Sequence, residues 1–139
     1  MFKSFGYAIA TTSIGLMLAG GTAAASQWPA SVVGKWKAVA NLSPLLLDIT
    51  AQGTAGACKA ITGVVADTVA GGQKNPIHGF YCPESGRFSF LRENAQNKET
   101  FQVYSGNLSI AGDTVRMGGT FAEESLANAL GEYNFQAQK

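Results

Sequence analysis

Apolar and polar positions along this chain alternate mostly with a period of two, and stretches with the 3.6-residue period of a helix are scarce. The alternating runs predict eight strands, at 34–41, 45–51, 58–67, 77–82, 87–93, 100–110, 114–121 and 132–137. Turn-forming residues separate them: Pro44, then Gln52-Gly53 with Gly56, then Gly71-Gly72-Gln73-Lys74-Asn75-Pro76, then Pro83-Glu84-Ser85-Gly86, then 94–98, then Ala111-Gly112-Asp113. Connections this short favour antiparallel neighbours. The segment 123–131 departs from the pattern, and one or two helical turns ended by Gly131 are expected there, with a long hairpin loop as the alternative. Residues 26–33 read as a loose leader into the first strand.

Eight antiparallel strands in this order build either a closed up-and-down barrel or a two-sheet sandwich. Closure removes exposed strand edges, which a chain with few charges has little means to protect. A Greek key needs a long crossover, and no stretch supplies one. The expected fold is all-β, an eight-stranded antiparallel up-and-down barrel. If Trp36 points inward, alternation puts Ala38 and Ala40 inside with it, and likewise Ile61, Gly63 and Val65, then Phe88, Phe90 and Arg92. Thr100, Gln102 and Tyr104 follow on the sixth strand, and Tyr133 and Phe135 on the last.

One end of such a barrel is apolar. The other gathers Arg92, Thr100, Gln102, Tyr104 and Tyr133, a mouth with one cation and several hydroxyls. A guanidinium offers paired planar donors to a carboxylate, and tyrosine offers an aromatic wall with a polar tip. These residues, together with Trp36, are the candidate ligand-binding set, suited to a small anionic or amphipathic ligand. The competing readings are structural: Arg92 as an exposed rim charge or a partner of Glu93, Glu99 or Glu132, the phenylalanines as core, and Trp36 as a plug at the barrel base.

The start of the chain changes the setting. Lys3 is the only charge before Lys35, an apolar run follows through Leu18, and Ala23 and Ala25 fit a cleavage pattern of small residues. Residues 1–25 are therefore expected to be a signal peptide and 26–139 one domain, secreted or periplasmic and free of the membrane after cleavage. In an exported chain Cys58 and Cys82 are expected to be oxidised. Facing residues of a hairpin share a constant sum of numbers, so a bridge between strands three and four puts the hairpin tip near Ala70. The role expected for it is stability.

Composition mostly excludes. Ten basic against 9 acidic residues, with no basic stripe, argues against nucleic acid. A single His78 and two cysteines lack metal spacing, and no cofactor motif is present. Ser43, Ser85 and Ser105 lack a nucleophile context, and the pair Glu123-Glu124 reads as a solvated turn, so no enzyme is expected. Asn41-Leu42-Ser43 and Asn107-Leu108-Ser109 fit the N-glycosylation pattern, which matters only in a eukaryotic secretory host.

Several motifs in order resemble the avidin and streptavidin family. They are Gly34-Lys35-Trp36, Leu47-Asp48-Ile49-Thr50, Ile61-Thr62-Gly63, Pro76-Ile77-His78-Gly79-Phe80-Tyr81, Phe88-Ser89-Phe90, Val103-Tyr104-Ser105-Gly106-Asn107 and Gly131 to Phe135. The resemblance implies a barrel that holds one small molecule, biotin in the family. It also implies biotin contacts at positions occupied here by Ala38, Val65, Arg92, Thr120 or Phe121, and Tyr133, most of them replaced; Thr100, Gln102 and Tyr104 match the hydroxyl and aromatic side. A small-molecule-binding barrel is the leading expectation. The alternative is an inhibitor of a secreted protease or lysozyme acting through the leader and the 94–98 loop. Pairing of barrels into a homo-oligomer would use outward residues such as Val103, Leu108 and Val115.

Overall fold

The computed structural model describes residues 27–68 and 72–139. The expected signal peptide and the Ala70 tip lie outside the described residues. Eight strands follow one another: β1 (Gly34–Ala40), β2 (Ser43–Gln52), β3 (Lys59–Asp67), β4 (Lys74–Cys82), β5 (Arg87–Glu93), β6 (Thr100–Ala111), β7 (Thr114–Ser125) and β8 (Ala129–Gln138). Each pairs antiparallel with the next, and β1 pairs with β8 from Lys37↔Gln138 to Ala40↔Phe135, closing the barrel. That last pairing excludes the sandwich.

Alternation decides what fills it. Trp36, Ala38, Ala40, Leu45, Leu47, Ile49, Ile61, Val65, Ile77, Phe88, Phe90, Tyr104, Leu108, Met117, Phe121, Phe135 and Ala137 are all buried inside. Lys35 and Lys37, on either side of Trp36 on β1, are exposed. Phe90, Tyr104 and Phe121 stack at centroid distances of 4.7 and 4.9 Å, and Phe135 meets Tyr104 edge-on at 5.0 Å. Each such pair contributes about 1 kcal/mol beyond its buried area.

The cysteines pair as expected. The β3–β4 register runs from Lys59↔Tyr81 to Ala66↔Lys74, so Cys58 faces Cys82 one step further on, with Cα atoms 4.0 Å apart and a disulfide between them.

Four local expectations are overturned. The segment after Phe121 is not helical: β7 runs on to Ser125, and β8 begins at Ala129. The Ser125 amide donates to the Asn128 carbonyl at 2.8 Å, and the Asn128 amide donates to Ser125 Oγ at 3.0 Å. This side-chain turn competes directly with a helical one, and β6 offers partners up to Thr100↔Ser125. The first turn lies at Asn41-Leu42, both at positive φ, and Pro44 is already strand, paired with Val39. Positive φ at both central residues is the two-residue hairpin geometry that matches strand twist.

The leader is not loose. The Tyr81 hydroxyl donates to Pro29 O at 2.6 Å, Gln52 Nε2 donates to Ala30 O at 2.9 Å, and Trp36 Nε1 donates to Val32 O at 2.9 Å. Trp28 lies flat on Gly86, where a Cβ would come within 2.7 Å of the indole. Residues 28–32 thus form the floor of the barrel. Finally, Leu108 points inward and Val115 packs against the core, because the parity of Tyr104 and Met117 carries through to them. Of the three residues expected on an oligomer face, only Val103 is exposed.

Candidate functional site

The end opposite the floor is open. Five strand ends and the first hairpin surround a cavity of about 250 Å³, lined by Ala40, Asn41, Ser43, Leu45, Asp67, Arg92, Gln102, Tyr104, Phe121, Glu123 and Tyr133. A second hollow of about 100 Å³ adjoins it across the β4–β5–β6 rim and shares Arg92, Gln102 and Glu123.

Arg92 lies on the inward face of β5, two residues beyond Phe90, and its side chain is only 14% exposed. It is neither a rim charge nor a partner of Glu93, Glu99 or Glu132. Its Nη1 donates to Gln102 Oε1 at 3.3 Å and its Nη2 stands 3.6 Å from Asp67 Oδ1. Glu93 turns outward instead, toward Lys98 at 3.2 Å and the exposed His78 at 3.6 Å. Gln102 faces Arg92 across the β5–β6 pair and accepts a second hydrogen bond, from the Tyr104 hydroxyl, at 2.7 Å. One amide oxygen therefore joins the cation to the phenol.

Burial pushes the Tyr104 phenol above its ordinary value. The Arg92 charge and hydrogen bonding oppose this, while the Glu123 and Asp67 carboxylates reinforce it. All four groups thus share one electrostatic neighbourhood. The Tyr133 ring tilts against Phe121 at 5.3 Å, continuing the aromatic column to the rim.

The structure brings Arg92, Gln102, Tyr104 and Tyr133 together in the mouth. Thr100 lines the adjoining hollow, where its hydroxyl accepts from Asn94 Nδ2 at 3.1 Å and donates to Asn97 O at 3.2 Å, fixing the β5–β6 loop. Trp36 is not part of the mouth. It is 1% exposed and bonded to the floor at the opposite end.

Two charged residues of the mouth were not anticipated. Asp67 extends the inward series Ile61, Gly63, Val65 by one more step, and Glu123 lies two residues beyond inward Phe121. The same alternation points to both. Glu123 was expected in a solvated turn, and the extension of β7 carries it into the barrel wall instead. A register shift in the β7–β8 ladder falls between Glu123 and Glu124, a bulge of the kind that re-aims side chains at barrel rims.

The arrangement defines a class: a closed eight-stranded up-and-down barrel, floored at one end, with a small charged mouth at the other. No protein-family model matches the chain, and no curated protein matches it either. No helix among the described residues is long and apolar enough to cross a membrane. The disulfide is compatible with a secreted or periplasmic protein.

Proposed function

We propose that this protein binds one small molecule at the open end of its barrel. The observation that carries the proposal is the 250 Å³ cavity with convergent polar groups over an aromatic floor. Polar groups that converge on a concave site fix the orientation of a small ligand and give it specificity. Arg92 is pre-positioned by Gln102 and Asp67, which lowers the ordering cost of binding. Phe88, Phe90 and Phe135 fill the level beneath, so the ligand sits at the mouth and not deep in the barrel. Kinship with the avidin barrels is part of the same proposal, and motif order supports it. Biotin is a candidate ligand, but with most family contacts replaced it is expected to bind weakly.

Calorimetric titration of the protein with biotin and a panel of small acids, amines and amino acids tests the reading. The expected result is a saturable one-to-one heat with at least one compound, and any binder that carries a carboxylate is weakened tenfold or more by Arg92→Gln. Absence of saturable heat with every compound would sink it.

One observation favours a second reading, inhibition of a secreted protease or lysozyme. The β5–β6 loop is held rigid by its own side chains: Asn94 Oδ1 accepts from the amides of Gln96 and Asn97 at 2.9 and 3.1 Å, and Asn97 Oδ1 accepts from Glu99 at 3.0 Å. A rigid loop suits a protein partner. Full activity of a protease and lysozyme panel in excess protein would remove this reading.

A further inference from the structure

We infer that the mouth selects an amine, either a simple cationic amine or a zwitterionic amino acid, over a plain anion. The inference rests on the small-molecule reading above and specifies its ligand. Arg92 alone suggests an anionic ligand, but two carboxylates, Asp67 and Glu123, line the same cavity. Asp67 already faces the guanidinium at 3.6 Å, and a carboxylate arriving at Arg92 must sit beside it. Glu123 has no ion-pair partner among the described residues, and it lines the same cavity as Asp67 and the Tyr104 phenol. The mouth therefore holds one more negative charge than positive.

A ligand ammonium satisfies this imbalance on Glu123. The Tyr133 and Phe121 rings beside it add the attraction of an aromatic face for a cation. Arg92 has five N–H donors and uses its two terminal nitrogens on Gln102 and Asp67, one contact each. The donors that remain can take the carboxylate of a zwitterion, whose own ammonium offsets the repulsion from Asp67. An anion without an ammonium has no such offset.

A matched series with one aromatic skeleton tests this: phenethylamine, phenylalanine and 3-phenylpropanoate, with biotin as a fourth ligand, titrated calorimetrically into the protein at low salt. Phenethylamine and phenylalanine are expected to bind about tenfold or more tighter than 3-phenylpropanoate, as one unscreened ion pair allows. Glu123→Gln, near-isosteric and checked for an unchanged unfolding midpoint, should reduce the amine preference about tenfold and leave 3-phenylpropanoate unchanged or tighter. Tighter binding of 3-phenylpropanoate or biotin than of the amines overturns the amine inference and leaves the mouth reading intact. An amine preference that survives Glu123→Gln overturns the assignment to Glu123. No binding by any of the four overturns the amine inference, and only silence across the wider panel overturns the mouth reading as well.

Discussion

Leu42 sits at the tip of the first hairpin, 93% exposed, with φ at 70°. A branched side chain in the left-handed region costs on the order of 1 kcal/mol, and glycine is the residue this turn prefers. Leu42→Gly is therefore expected to raise stability by about 1 kcal/mol, read from urea unfolding; a loss of stability would show that the leucine makes contacts that outweigh its strain. Tyr104 carries a different prediction. Burial raises its pKa, and that of Tyr81, above the ordinary 10.0. The neutral phenol is favoured in the folded state, so the stability it contributes is complete below about pH 10 and is lost as pH rises through the higher folded value. Alkaline titration should show phenolate absorbance from these two residues appearing together with loss of near-ultraviolet circular dichroism. Tyr104→Phe should remove part of that alkaline sensitivity and, at neutral pH, cost about 1 kcal/mol for the lost hydrogen bond to Gln102.

At the scale of elements, the disulfide ties the open ends of the β3–β4 hairpin across 24 residues. Cys58→Ser with Cys82→Ser is expected to lower stability by about 3 kcal/mol, the chain-entropy value for a loop of this length. Thermal unfolding with and without reductant checks it, and an unchanged midpoint would mean that the β3–β4 ladder holds itself. The strands, their order and this bridge were legible in the sequence because a strand's pattern is local and the facing-residue sum is arithmetic. Arg92, Gln102, Tyr104 and Tyr133 were legible for the same reason. What was not legible depended on partners distant in the chain. β7 extends past Phe121 because β6 offers it a ladder to Thr100, and that extension alone turns Glu123 from a surface acid into a mouth residue. The leader is fixed because Tyr81 and Gln52, far along the chain, supply a donor each to its carbonyls. Alternation gives the face of a residue and not its depth, so the sequence left Trp36 open between a plug at the barrel base and the ligand-binding set; its burial and its bond to Val32 make it the plug.

At the scale of the molecule, the two ends of the barrel are built differently. Residues 28–32 cover one end, the aromatic column fills the interior, the disulfide ties β3 to β4, and the leader leaves the charged mouth open. Binding at the mouth to the native state alone would stabilise the protein by about 2.7 kcal/mol at a ligand concentration 100 times the Kd. Binding at the mouth is tested most directly by an amide-resolved NMR titration with whichever panel compound gives the largest heat. Shift changes are expected to concentrate at Asn41, Asp67, Arg92, Gln102 and Glu123, with the floor around Val32 and Trp36 unmoved. Changes confined to the floor or to the outer faces of the strands, with the mouth residues silent, would contradict it.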